Sequence, residues 1–105
     1  MSPKPGELYL VDLGMIGKVR PAMVVSREDP ASSRATAICV PLTTQNRDSA
    51  YEVGLGKLRF LDKESWINVQ GIMSIGYERL IRRLGLVPQT QFAAVKTALR
   101  YALDL

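Results

Sequence analysis

The chain has 105 residues, 47% of them hydrophobic and 23% charged, and a net charge of +4. That length bounds it to one domain, residues 1–105, with one modest core, and the composition excludes both a disordered chain and a membrane span, because no apolar run approaches the roughly 20 residues a spanning helix needs. With no histidine and a single cysteine, the chain has no intrachain disulfide, no histidine-containing zinc site and no imidazole as acid or base.

The first residues, Met1-Ser2-Pro3-Lys4-Pro5, lack the apolar stretch of a signal peptide, so a cytoplasmic protein is expected. A strand is predicted over Glu7–Asp12, where Leu8-Tyr9-Leu10-Val11 follow the turn-like Pro5-Gly6. The glycine-flanked loop from Leu13 to Lys18 is mobile by composition. Arg20-Pro21 then opens Ala22-Met23-Val24-Val25-Ser26, an apolar run suited to a strand buried on both faces, with Pro21 at its first position, where no ladder bond is lost. After a turn at Glu28–Ser33, Ala35–Leu42 reads as a third strand ending near Pro41, and Cys39 inside it reads as a small core residue.

Thr43–Ser49 is a polar loop. Tyr51-Glu52-Val53 begins a fourth strand, broken by Gly54 and Gly56, and Leu58–Lys63 reads as an irregular or helical turn. In Ser65–Gln70 the period of two puts Trp66, Asn68 and Gln70 on one face and Ser65, Ile67 and Val69 on the other. Ile72–Ile75 extends that strand as a bent piece, and Leu80–Leu86 is a final strand or a link. After Pro88, a tolerated first helical residue, Phe92, Val95, Leu99, Ala102 and Leu103 recur at helical spacing, with Lys96 and Arg100 on the polar side. Many short strands and one late helix fit a small closed or half-closed barrel better than a parallel α/β sheet.

Four features could carry chemistry, and each also has a plain structural reading. Arg20, at the mouth of a buried strand just after Lys18, could clamp a phosphate through its planar fork, or simply be a surface arginine. Thr43, Thr44 and Gln45 bring hydroxyls and an amide out of an apolar strand, as a hydrogen-bonded turn also would. Trp66, Asn68 and Gln70 combine a stacking surface with amides able to read base edges, unless Trp66 is core. Arg79, Arg82 and Arg83 suit phosphate contact or a solvated face. The positive charge favours a polyanionic partner without establishing one.

In chain order, the blocks Gly6–Leu13, Lys18-Val19-Arg20-Pro21 followed by Met23-Val24-Val25-Ser26, and Val40-Pro41-Leu42-Thr43-Thr44-Gln45 resemble the MazF/PemK family of toxin endoribonucleases. Arg83–Pro88 and the helix ending Ala98–Leu103 are similar to that family's closing strand and helix, so the resemblance spans nearly the whole chain. It implies a mainly β (α+β) fold, a small SH3-like barrel of five to seven short strands of the CcdB/MazF type with a C-terminal helix. It further implies a homodimer that cleaves single-stranded RNA, such as messenger RNA, sequence-selectively, without metal or cofactor, and that is inhibited by a cognate antitoxin.

Carried over residue by residue, the family's arginine of the Arg-Pro block falls on Arg20 and its threonine of the Pro-x-Thr block on Thr43, with Thr44 the choice if the register slips by one. These are the expected catalytic pair, and Lys18, Thr44, Gln45, Trp66, Asn68, Gln70 and Arg82 the expected RNA contacts. Attack by the 2′-OH on the adjacent phosphate would leave a 2′,3′-cyclic phosphate and a 5′-OH. Some members carry an Asp-Gln pair on a later strand and an arginine beyond it, where Val69-Gln70-Gly71-Ile72-Met73 keeps only the glutamine, so no general base is assigned. The competing readings are an inactive RNA-binding fold and a peptide-binding SH3-like module.

Overall fold

The computed structural model describes residues 2–14 and 18–105; most of the loop predicted between the first two strands, residues 15–17, lies outside the described residues. Seven strands and one helix follow in order: β1 (Glu7–Asp12), β2 (Val19–Val24), β3 (Thr36–Thr43), β4 (Glu52–Gly54), β5 (Trp66–Asn68), β6 (Met73–Gly76), β7 (Leu80–Leu86) and α1 (Gln89–Leu103). The strands run antiparallel in the order β4-β5-β3-β2-β1-β7, with β6 also paired to β3. Among the described residues no ladder joins β6 to β7, so the predicted barrel is half-closed rather than a ring.

β3 organises the sheet. Its first half pairs with β6 through Thr36–Cys39 and with β2 through Cys39–Pro41, and from Leu42 onward it pairs with β5 instead. Pro41 sits at that exchange of partners, inside the strand rather than at its end. A proline cannot donate to a ladder, and the handover is where β3 can spare a donor. Pro21 is likewise the third residue of β2, opposite Leu10, because the strand begins two residues earlier than the apolar run that predicted it.

The period of two sorts β1, β2 and β3 onto two cores. Leu8, Met23 and Val40 meet Ile67, Val69, Val87, Val95 and Ala98 under the helix. On the opposite face Tyr9, Val11, Ala22, Val24, Ala37 and Cys39 meet Ile75 and Leu80, so the continuous apolar run of β2 is buried on both sides as expected. Fully burying a side chain such as Ile67 or Met23 stabilises the fold by about 1.5–3 kcal/mol. Cys39 is buried as read, and loss of solvent pushes its thiol up to about 11. On α1, Val95 and Ala98 are buried while Phe92, Leu99 and Ala102 pack against the core. Leu103, predicted inward, is exposed, since the helix stops one residue later at Asp104 in a left-handed cap.

One further expectation changes. The Trp66–Asn68 strand ends before Gln70, because a 3₁₀ turn at Val69–Gly71 takes over, capped by the Asn68 side chain accepting from the Gln70 N–H at 3.0 Å. Gln70 therefore leaves the strand face it was predicted to share with Trp66 and Asn68. Ile72–Ile75 resumes the strand beyond this turn as expected, since β6 runs on antiparallel to β3 along the same edge as β5, opposite β2.

A buried carboxylate ties β1 to β7. Glu7 Oε2 accepts from Arg83 Nε at 2.6 Å, and Oε1 accepts from the Lys4 N–H at 2.7 Å and from the Tyr9 hydroxyl at 3.4 Å. Burial pushes this carboxyl up, but the Lys4 N–H, the Arg83 guanidinium and the Tyr9 hydroxyl together pull it further down, leaving it below its ordinary 4.5. The folded state therefore holds this proton less tightly than the unfolded one, and the contribution is complete above about pH 4.5 and lost as the pH falls through the lower folded value. In denaturant titrations Glu7→Gln is expected to be less stable than wild type at neutral pH and to lose less stability on acidification below pH 4.5.

The partner exchange at Pro41 also needs space. A Cβ on Gly71 would lie 2.5 Å from Pro41 Cγ, and the proline ring, closed onto its own backbone nitrogen, cannot swing aside. Gly71→Ala is expected to cost about 1–3 kcal/mol through overpacking, seen as a lower urea midpoint at unchanged slope.

Candidate functional site

The end of β3 beyond Pro41 opens into two adjoining clefts that share Arg20, Pro21, Thr44, Lys63 and Ser65. One, of about 420 Å³, includes Leu42 and Thr43. The other, of about 410 Å³, runs on over Leu10, Phe60, Leu61, Asp62, Arg82 and Leu84. Both are of the size of small-ligand sites.

Each wall follows from the strand register. Arg20 lies near the start of β2 beside Pro21, which faces Leu10 of β1, and Leu10 faces Arg82 of β7. One row across three strands thus ends in the Arg82 side chain on the cleft side. The next residue, Arg83, alternates to the other face and is taken by Glu7, and the Arg79 guanidinium lies against Gly14, where an added Cβ would be 3.0 Å from its Nη1. Of the three clustered arginines, only Arg82 lines a cleft.

Lys63 enters from the irregular segment between β4 and β5 and was not among the expected site residues. Its backbone is held from the next strand, since Ser65 Oγ donates to the Lys63 carbonyl at 3.0 Å and the Ser65 carbonyl accepts from the Leu55 N–H at 3.0 Å. The only signal in the sequence was a lysine two residues before a buried serine that immediately precedes a strand. Phe60 and Asp62 of the same segment were missed for the same reason.

Thr43 and Thr44 line the cleft as the strand end predicted. Thr43 Oγ1 accepts from the Gln45 N–H at 3.1 Å, which leaves its hydrogen to donate into the cleft. Gln45 itself points elsewhere. Its side-chain carbonyl accepts from Arg47 Nη2 at 2.9 Å, and Arg47 in turn pairs with Glu52 at 3.6 Å. Trp66 is the ladder partner of Thr43 on one side and Gly54 on the other, half-buried and outside both cleft linings. Asn68 is spent on the cap, Gln70 is exposed beside it, and Lys18, whose backbone carbonyl accepts from the Leu13 N–H at 3.0 Å, is in neither cleft lining. The structure therefore brings together Arg20, Thr43, Thr44 and Arg82 of the expected set, adds Lys63, and leaves Lys18, Gln45, Trp66, Asn68 and Gln70 outside the clefts.

Electrostatically the site is one-sided. Arg20, Lys63 and Arg82 flank the clefts, and among the described residues none of them forms an ion pair, whereas Arg47 and Arg83 do. Asp62 is the only carboxylate in either lining. Unpaired cations beside hydroxyl donors suit a phosphate.

A profile described as PemK-like, MazF-like toxin of type II toxin-antitoxin system matches residues 4–103. The chain belongs to that family. It is 31% identical over 103 residues, 97% of its length and 94% of the relative's, to the probable endoribonuclease MazF5 of Mycobacterium tuberculosis. Its fold superposes with a TM-score of 0.86 on an endoribonuclease solved in complex with its cognate antitoxin from a Mycobacterial species, at 30% identity and over 98% of this chain and 96% of that one. The Mycobacterium tuberculosis toxin MazF-mt6 follows with a TM-score of 0.82 at 25% identity, covering 94% and 97% of the two chains. The family's sheet with a C-terminal helix is thus the architecture seen here, and the fold expectation stands.

The division among the basic residues can be measured. In titrations of a single-stranded polyanion against salt, Lys63→Ala and Arg82→Ala are each expected to reduce the slope of log K against log salt by about 0.7, the value per phosphate contact. Arg83→Ala is expected to leave that slope unchanged and to lower stability instead.

Proposed function

We infer that the protein is the toxin of a type II toxin-antitoxin pair and acts as a sequence-selective endoribonuclease on single-stranded RNA. The observation that carries this is the convergence of unpaired Arg20, Lys63 and Arg82 on two adjoining clefts that between them also hold the Thr43 and Thr44 hydroxyls, in a chain of this family. The 2′-oxygen attacks the adjacent phosphorus, the bond to the 5′-oxygen breaks, and the products are a 2′,3′-cyclic phosphate and a 5′-OH end. The 2′ proton is released and one is taken up by the leaving oxygen. Arg20 neutralises charge growing on the non-bridging oxygens, and Thr43 donates to the same phosphate. Lys63 and Arg82 hold the flanking phosphates.

This chemistry asks for no metal, and three cations against one carboxylate form a poor site for a divalent ion. The protein works in the cytoplasm, where its substrate is. Among the described residues no helix is long and apolar enough to cross a membrane. A cognate antitoxin that places carboxylates against the same cations would compete with RNA, and a relative of this fold has been solved with its antitoxin. A homodimer would cover the exposed Ile38, Ile81 and Leu86, apolar surface that a domain this small gains by burying.

Incubation of purified protein with a long single-stranded RNA in EDTA, beside Arg20→Ala and Thr43→Ala, tests the reading. Discrete cuts ending in cyclic phosphate are expected, with loss of one such donor costing roughly 10²–10³ in rate. RNA left intact by wild type but bound in a salt-dependent way would replace the nuclease with an inactive binder.

A further inference from the structure

The cleft that runs from Arg20 to Leu84 contains one residue that a phosphate site does not call for. Asp62 is an exposed carboxylate among Arg20, Lys63 and Arg82, and it would repel a polyanion entering the cleft. Among the described residues it forms no ion pair with any of these cations, so it is not there to anchor them. Beside it the cleft is apolar, floored by Leu10, Leu61 and Leu84. Phe60 lies on the backbone of β7, its Cε2 only 2.6 Å from where a Cβ on Gly85 would stand. An aromatic ring, an aliphatic floor and one acceptor-only group describe a site for a flat, hydrogen-bonding heterocycle.

We propose that the cleft holding Phe60 and Asp62 is a nucleobase pocket, which receives a guanine next to the scissile phosphate and reads its Watson–Crick edge with the Asp62 carboxylate. This rests on the ribonuclease reading of the adjoining cleft. The two clefts share Arg20, Thr44 and Lys63, so a nucleotide whose phosphate sits at Arg20 and Thr43 has its neighbour's base within this second space. Guanine alone presents two parallel donors, N1–H and the N2 amino group, to the two oxygens of a carboxylate. Cytosine and adenine set an acceptor nitrogen beside their amino donor, and uracil flanks its single donor with two carbonyls. Each of these three meets repulsion where guanine makes a bidentate pair. Phe60 supplies stacking to any base, and Asp62 supplies the choice among them.

The test compares short single-stranded RNAs that differ at one base beside the cut, assayed for cleavage and, with a non-cleavable 2′-deoxy linkage at the cut, for binding by fluorescence anisotropy. Wild type is expected to favour guanine over uracil or cytosine at that position by about 10-fold or more, the discrimination of one bidentate contact. Asp62→Asn is expected to abolish the preference without abolishing cutting, and Asp62→Glu, which keeps the carboxylate, to retain it. Phe60→Ala is expected to weaken all four bases by roughly 10-fold, as the loss of one stacking contact does. Cuts with no guanine preference, or a preference unchanged in Asp62→Asn, overturn the pocket while leaving the nuclease standing. If wild type does not cut at all, the ribonuclease reading fails, and equal anisotropy for guanine and uracil oligonucleotides overturns the pocket as well.

Discussion

The exchange of partners along β3 is the constraint on which the rest depends. One eight-residue strand serves β6, β2 and β5 in turn, and it can do so only because Pro41, which has no N–H to offer, stands where one set of ladder bonds ends and the next begins. Before Pro41 the strand gives Ala37 and Cys39 to one core and Val40 to the other. Past it, β3 leaves β2 for β5, and the gap between the parting strands is the cleft. Arg20 and Pro21 stand on one bank and Thr43 and Thr44 on the other because the sheet divides there. Gly71, pressed against the Pro41 ring, keeps the junction closed from behind.

The same alternation that buries the core distributes the charges. Arg82 and Arg83 are neighbours in sequence and opposites in role. Facing Leu10 puts Arg82 on the cleft, whereas facing Tyr9 brings Arg83 to Glu7. A carboxylate taken out of water requires a partner, and Glu7 finds three donors, one of them the Lys4 backbone. This clamp fixes β7 against β1 and so sets where Arg82 can reach. Stability and the site are thus coupled through one strand, with consecutive residues serving each.

Legibility from the sequence was uneven in a physically intelligible way. Strands with strong apolar alternation, and the amphipathic helix, were read correctly in kind because their periods are local properties. Their ends were not, because Pro21 and Pro41 were taken as boundaries although the tertiary pairing tolerates both inside strands. Arg20, Thr43 and Thr44 were legible because they sit at strand ends within recognisable blocks. Trp66, Asn68 and Gln70 looked like one face only while the chain was assumed extended, and a cap formed by Asn68 itself ended that extension. Phe60, Asp62 and Lys63 were hardly legible, since an irregular segment has no period from which a direction could be inferred.

The sequence by itself determined the class of the protein: mainly β with a closing helix, basic, without histidine chemistry, and built on the blocks of a toxin family. These follow from composition and from patterns spanning a few residues, which no distant contact can alter. Only the tertiary structure decided which cations meet. Arg20, Lys63 and Arg82 come from two strands and a loop spread over more than half the chain, and a one-residue shift in the pairing of β7 would have exchanged Arg82 for Arg83. Register is a property of two strands together, so neither strand's sequence contains it alone.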